Sequence, residues 1–112
     1  MKFSTKEINA VTILHFEGNM LGGPEASEMN NTLHKLIEAK KKKIVIDLSD
    51  VTLMNSSGLG MLIGGVTTMR NAGGDLKIAN AAKKISQLFN ITKISSVIET
   101  YPTVKEAVES FH

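Results

Sequence analysis

Short apolar, β-branched runs take turns with stretches of helical period along this chain, and that alternation leaves few folds open to it. "VTILHFEG" (Val11–Gly18), "KIVIDL" (Lys43–Leu48), "DLKIAN" (Asp75–Asn80) and "SSVIETY" (Ser95–Tyr101) read as strands. An earlier short strand is expected at Lys2–Ile8, turning at Asn9-Ala10. Between strands, Gly22-Gly23 breaks the run and Pro24 suits a first helical position, where its missing N–H does no harm. Ala26, Met29, Leu33, Leu36 and Ile37 then fall three or four apart on one helical face. A second helix is expected from Ser56 or Ser57, with Leu59, Leu62, Ile63, Val66 and Met69 inward, ended by Asn71-Ala72-Gly73-Gly74. "AAKKISQLF" reads as a third, with Ile85, Leu88 and Phe89 inward. "TVKEAVESF" closes the chain, its Thr103 and Glu106 at the spacing of a capping box.

The order is β-β-α-β-α-β-α-β-α. Parallel neighbours need a helical crossover, so the expected fold is α/β: one domain over residues 1–112, with a small, mostly parallel (mixed) sheet and helices. Its expected core is Ile13, Phe16, Leu33, Leu36, Val45, Leu59, Leu62, Ile63, Val66, Ile78, Leu88 and Val108.

Composition removes several classes of function. The absence of cysteine excludes disulfides, thiol catalysis and thiolate metal sites. "MKFSTKEINA" lacks the apolar centre of a signal peptide, and no stretch approaches the length of a membrane span, so a cytoplasmic protein without membrane insertion is expected. Net charge is +2, and the one basic run, Lys40–Lys43, suits a solvated helix end. With aromatics at 4% and no second basic cluster, no direct nucleic-acid partner is expected.

The chemistry-bearing stretch is "MNSSGLG" (Met54–Gly60), between a strand and a helix. In open α/β sheets such bends lie at the carboxyl edge, where sites gather. One serine is enough to cap a helix, which leaves the other spare. Gly58 and Gly60 are expected to keep the first turn bare, and Gly64 and Gly65 to continue a low-relief face, at a cost of ~1 kcal/mol each in helix propensity. That combination reads as a docking surface.

A hydrolase elbow needs glycine two residues before the serine, where Met54 stands. Its base would be His15, His34 or His112, and no acid is marked in the sequence to orient any of them. Phosphate-loop and dinucleotide motifs are absent, and Glu25 sits where a phosphate would meet the first helix. Asp47 and Asp50 are the only close acidic pair near the bend, and Asp47 reads as a strand-end hydrogen-bonding residue. No catalytic residue, metal or cofactor is expected, and the chain is read as a non-enzyme.

"VIDLSDVTLMNSSGLGMLIGG" resembles the core motif of STAS domains, specifically single-domain anti-sigma factor antagonists. "FEG" at Phe16–Gly18, "GGDLKIAN" and the closing helix extend the resemblance over essentially the whole chain. The resemblance implies a phosphorylation switch in transcription regulation. A partner that is both anti-sigma factor and serine kinase would modify Ser56, the dephosphorylated form would bind it and free the sigma factor, and a phosphatase would reset it. The implied contact residues are Met54, Asn55, Ser56, Ser57, Gly58 and Leu59. Two positions depart from the family pattern: Asn55 replaces the acidic residue before the serine, and Leu21 falls near a second acidic position.

A phosphate would add about −2 charge, and the amides of Ser57 and Gly58 are expected to hold it at the helix start. Two other readings stand beside the switch. The bend could be the constitutive docking surface of a STAS module in a signalling or transport complex, which the lost acids would fit. The third is a small enzyme or ligand binder using the strand edge.

Overall fold

A computed structural model describes residues 2–112. The elements are β1 (Lys2–Ile8), β2 (Val11–Met20), α1 (Pro24–Glu38), β3 (Lys43–Met54), α2 (Ser56–Asn71), β4 (Asp75–Ala79), α3 (Lys83–Ile91), a 3-10 turn (Ile94–Ser96), β5 (Thr100–Tyr101) and α4 (Val104–Glu109). They build one five-stranded sheet in the order β1-β2-β3-β4-β5. β1 and β2 are antiparallel, and every later pair is parallel. The expected α/β architecture and element order are the ones observed.

Three crossovers step along the sheet in the same direction. Right-handed connections of that kind all land on one face. Accordingly α1, α2 and α3 share a single core with Leu14, Phe16, Ile46 and Ile78 of the sheet. The opposite face receives only the short α4, whose Ala107 and Val108 pack on Val11, Ile13, Val45 and Ala79. Lys77 also fastens α4: its buried Nζ donates to Ser110 Oγ at 2.8 Å and lies 4.2 Å from the Phe111 ring centre. Thr103 caps α4 by accepting the Glu106 N–H at 3.1 Å. Beyond α4, the carboxyl ends of β2 and β3 leave this sheet face open.

Two expected strands have different limits. β3 does not stop at Leu48 but runs on to Met54. Its pairing with β2 shifts between His15 and Glu17 and again between Gly18 and Asn19, because β3 inserts an extra residue each time. These bulges break the two-residue alternation, so the strand's second half does not look like a strand in sequence. At the other end, β5 is only Thr100–Tyr101, and Ser95 and Ser96 lie in the 3-10 turn. Lys93, in the left-handed conformation, turns the chain there, and Ile94 and Ile98 both pack into the core at a helical spacing of four.

The expected core residues are buried except three. Leu36 and Leu88 are half-buried, and Ile63 is exposed. α2 is rotated so that Met61, Leu62, Gly65, Val66 and Met69 face inward. Glycine sets that rotation. A Cβ on Gly58 would lie 2.1 Å from the Met20 carbonyl oxygen, and one on Gly65 would lie 2.5 Å from the Met29 methyl. These two glycines permit close helix–sheet and helix–helix approach, rather than baring a surface as expected. Gly60 and Gly64 do face open space. Among the described residues, no helix is long and apolar enough to cross a membrane.

Candidate functional site

The bend at Met54–Gly60 is made by the end of β3 meeting α2 beside the end of β2. Asn55 is the N-cap residue, with extended backbone, and its Oδ1 accepts the Gly58 N–H at 2.9 Å. This corrects the expectation that a serine caps the helix. An asparagine serves an N-cap as well as aspartate or serine does, so Asn55 caps the helix without a carboxylate. Ser56 and Ser57 become the first two helical residues. Both are exposed, and among the described residues neither hydroxyl makes a hydrogen bond. The amide of Gly58 is already committed to Asn55, so it is not available to a phosphate as the sequence reading expected.

Asn55→Ala is expected to cost about 1 kcal/mol of stability, the usual worth of a side-chain cap, whereas Asn55→Asp should keep it. Chemical denaturation of the two variants beside the parent checks this. Equal losses in both would show that the cap is not what stabilises the bend.

Of the six expected contact residues, Asn55, Ser56 and Ser57 reach solvent, while Met54, Gly58 and Leu59 are buried. Met54 and Leu59 belong to the main core. The rest of the outward surface includes Gly60 and Gly64, as expected, and Ile63, which was expected to face inward. Ser56, Gly60, Ile63, Gly64 and Thr67 recur at helical spacing on the outer face of α2. Ile63 is 40% exposed, and Leu53 and Leu21 at the ends of β3 and β2 are 55% and 43% exposed. Scattered exposed leucines carry no meaning by themselves, but Leu21 precedes Gly22, which packs against Ser57, and Leu53 lies three residues before Ser56. A groove of about 430 Å³ between α1 and α2 adjoins them, lined by Met29, Asn30, Met61 and Thr68 and opening past Ser57 and Gly60.

A second constellation lies on the opposite sheet face. His15 is held between two carboxylates, donating from Nδ1 to Asp47 Oδ2 at 2.9 Å and from Nε2 to Asp50 Oδ2 at 2.8 Å. The Asp47 bond raises the imidazole above its ordinary pKa; partial burial opposes this, and Asp50 adds to it. Burial works to raise the Asp47 carboxyl, but hydrogen bonds from His15, Asn80 and Ser49 outweigh it and leave the group below its ordinary value. The expectation that no acid orients a histidine is therefore overturned. His15 and Asp47 are 32 residues apart and meet only through β2–β3 pairing. Spacing also hides Asp50. Residues three apart on a regular strand face opposite sides, and the bulge after Asp47 turns Asp50 to His15's side.

The STAS domain model matches residues 2–107. The chain belongs to the STAS domain family. Within it, the anti-sigma-B factor antagonist of Bacillus subtilis is 37% identical over 54 residues, 48% of this chain and 50% of that protein. The chain thus matches about half the length of that relative. The crystal structure of a Thermotoga maritima protein, assigned as a candidate anti-sigma factor antagonist, has a TM-score of 0.86 at 21% identity and covers 96% of this chain and 92% of its own. The Bacillus antagonist SpoIIAA in its phosphorylated form has a TM-score of 0.74 at 14% identity, covering 99% of this STAS chain and 100% of its own. At these identities the structural likeness establishes the fold.

Proposed function

We propose that residues 1–112 form a STAS domain that acts as an anti-sigma factor antagonist in the cytoplasm, switched by phosphorylation of Ser56. The partner is an anti-sigma factor that is also a serine kinase. The unmodified domain binds it through Asn55–Ser57 and the outer face of α2, which frees a sigma factor; phosphorylation ends the contact and a phosphatase restores it. One observation carries this reading: Asn55 performs the cap, so Ser56 presents an unengaged, exposed hydroxyl at the start of α2, on the helix face that also exposes Gly60 and Ile63. The resemblance to named anti-sigma factor antagonists supports it.

Intact-mass measurement of the protein recovered from its native cells tests the switch. A gain of about 80 Da, one phosphate, that disappears in Ser56→Ala is the expected result. A protein unmodified under all growth conditions would instead favour a constitutive docking module of a signalling or transport complex.

Gly60→Ala separates docking from folding. Apart from its chain neighbours and the helix's own backbone, no atom lies within 4 Å of the added Cβ, so alanine should stabilise α2 by about 0.5–1 kcal/mol. The same methyl stands on the docking face and is expected to weaken partner binding about tenfold, equivalent to ~1.4 kcal/mol. Melting curves and a binding isotherm on one preparation check both halves.

A further inference from the structure

The sheet face left open beyond α4 gathers metal-binding donors that the Ser56 switch does not use. His15 and Glu17 come from β2 and Asp50 from β3, and one donor atom from each lies within 4.8 Å of the other two. We propose that His15 Nε2, Glu17 and Asp50 bind one divalent first-row transition ion of the zinc type, with Asp47 orienting the histidine from behind. Donors about 2.0–2.2 Å from a tetrahedral zinc stand about 3.4 Å from one another. The observed separations straddle that value, at 2.8 Å from Nε2 to Asp50 and 3.9 Å from Nε2 to Glu17. Small side-chain rotations suffice to admit the ion, which takes the place of the Nε2 proton.

Three further observations point to a cation rather than to an ion pair complete in itself. The first lies behind the donors. Ligating histidines characteristically donate their other ring N–H to a carboxylate, which fixes the tautomer. Here Nδ1 donates to Asp47 Oδ2, and Asp47 Oδ1 is itself held by the Asn80 side chain and the Ser49 N–H, each at 3.0 Å. The second is space. A cavity of about 170 Å³ lined by Phe3, Ser4, His15 and Glu17 opens beside two of the three donors and has room for an ion's remaining water ligands. The third is charge. Three carboxylates surround one imidazole, so the group stays negative even with the ring protonated. Among residues 3–112, whose side chains are described, no lysine or arginine pairs with any of the three, and Lys2 stands opposite Glu17 in the β1–β2 register. A mixed nitrogen and carboxylate set suits zinc and its neighbours better than magnesium or calcium, which prefer all-oxygen sites.

Calorimetric titration of chelator-stripped protein with zinc chloride, paired with NMR of the histidine rings, decides the matter. The expected result is saturation at one equivalent with displacement of the His15 ring signals. Glu17→Gln and Asp50→Asn alter exposed side chains, with 59% and 60% exposure, and should leave the fold intact. Each is expected to weaken binding at least tenfold. Asp47→Asn should weaken it about tenfold, the usual worth of a histidine's carboxylate partner, while replacing both His34 and His112 by alanine should change nothing. Absence of one-to-one binding would overturn the proposal. So would an affinity unmoved by Glu17→Gln and Asp50→Asn, because the ion would then sit elsewhere.

Discussion

Gly58→Ala is expected to destabilise the domain by about 3 kcal/mol or more, beyond the usual cost of one extra methyl in a packed site. The added carbon would lie 2.1 Å from the backbone oxygen of Met20 and 2.9 Å from the Met54 side chain. Met54 can change rotamer. The Met20 carbonyl cannot, because it ends the long strand β2 and accepts the Asn55 N–H at 3.4 Å. Relief therefore requires α2 to lift off the sheet, exposing part of the apolar layer beneath Leu59 and Leu62. The alanine's gain in helix propensity, ~1 kcal/mol, is too small to compensate. A fall in melting temperature of about 10 °C or more should follow in a domain of this length. Gly65→Ala makes the informative comparison. Its nearest obstacle is the mobile end of Met29, so its loss should be smaller. A Gly58→Ala protein as stable as the parent would show that the strand end yields, and would remove the glycine as the reason for the position of α2.

The second large effect concerns binding. Phosphorylation of Ser56 is expected to weaken the proposed anti-sigma partner's affinity more than a hundredfold, which needs only ~3 kcal/mol. The group adds about −2 charge to a face that must lose its water on docking. It would stand on the same stripe as Ile63 and Gly60, near Leu53, where it displaces apolar contact. The fold should not suffer. Ser56 is exposed at the first position of α2, and negative charge there is favoured by about 0.3–1 kcal/mol. Isotherms of both forms against the partner, with melting curves of the same samples, separate the two effects. Lost affinity accompanied by a collapsed melting temperature would mean that the phosphate acts by unfolding, and the docking account would be wrong.

Much of this molecule is legible in its sequence because it rests on local physics. β-Branched runs and helical periodicity foretell the element order. Pro24, Thr103 and Asn71–Gly74 mark helix ends by requirements that operate within a few residues. The motif around Ser56 marks the family, since a strand, a bend and a helix start are contiguous in the chain. Burial of Ile13, Phe16, Leu62 and Val66 also follows from pattern alone.

What pattern could not decide depends on where distant backbones come to rest. Which glycines face inward is set by the nearness of the Met20 carbonyl and the Met29 side chain, and this turns Ile63 outward. Asn55 takes the cap because the chain enters α2 one residue earlier than serine capping would require. The His15–Asp47–Asp50 constellation exists only because β2 and β3 pair, and because a bulge reverses the facing of Asp50. Local periodicity, then, determined the fold, and a contiguous motif the place of the serine proposed as the switch. Tertiary packing determined which groups around it are free to act, because a side chain's neighbours across a sheet are chosen by register and not by sequence distance.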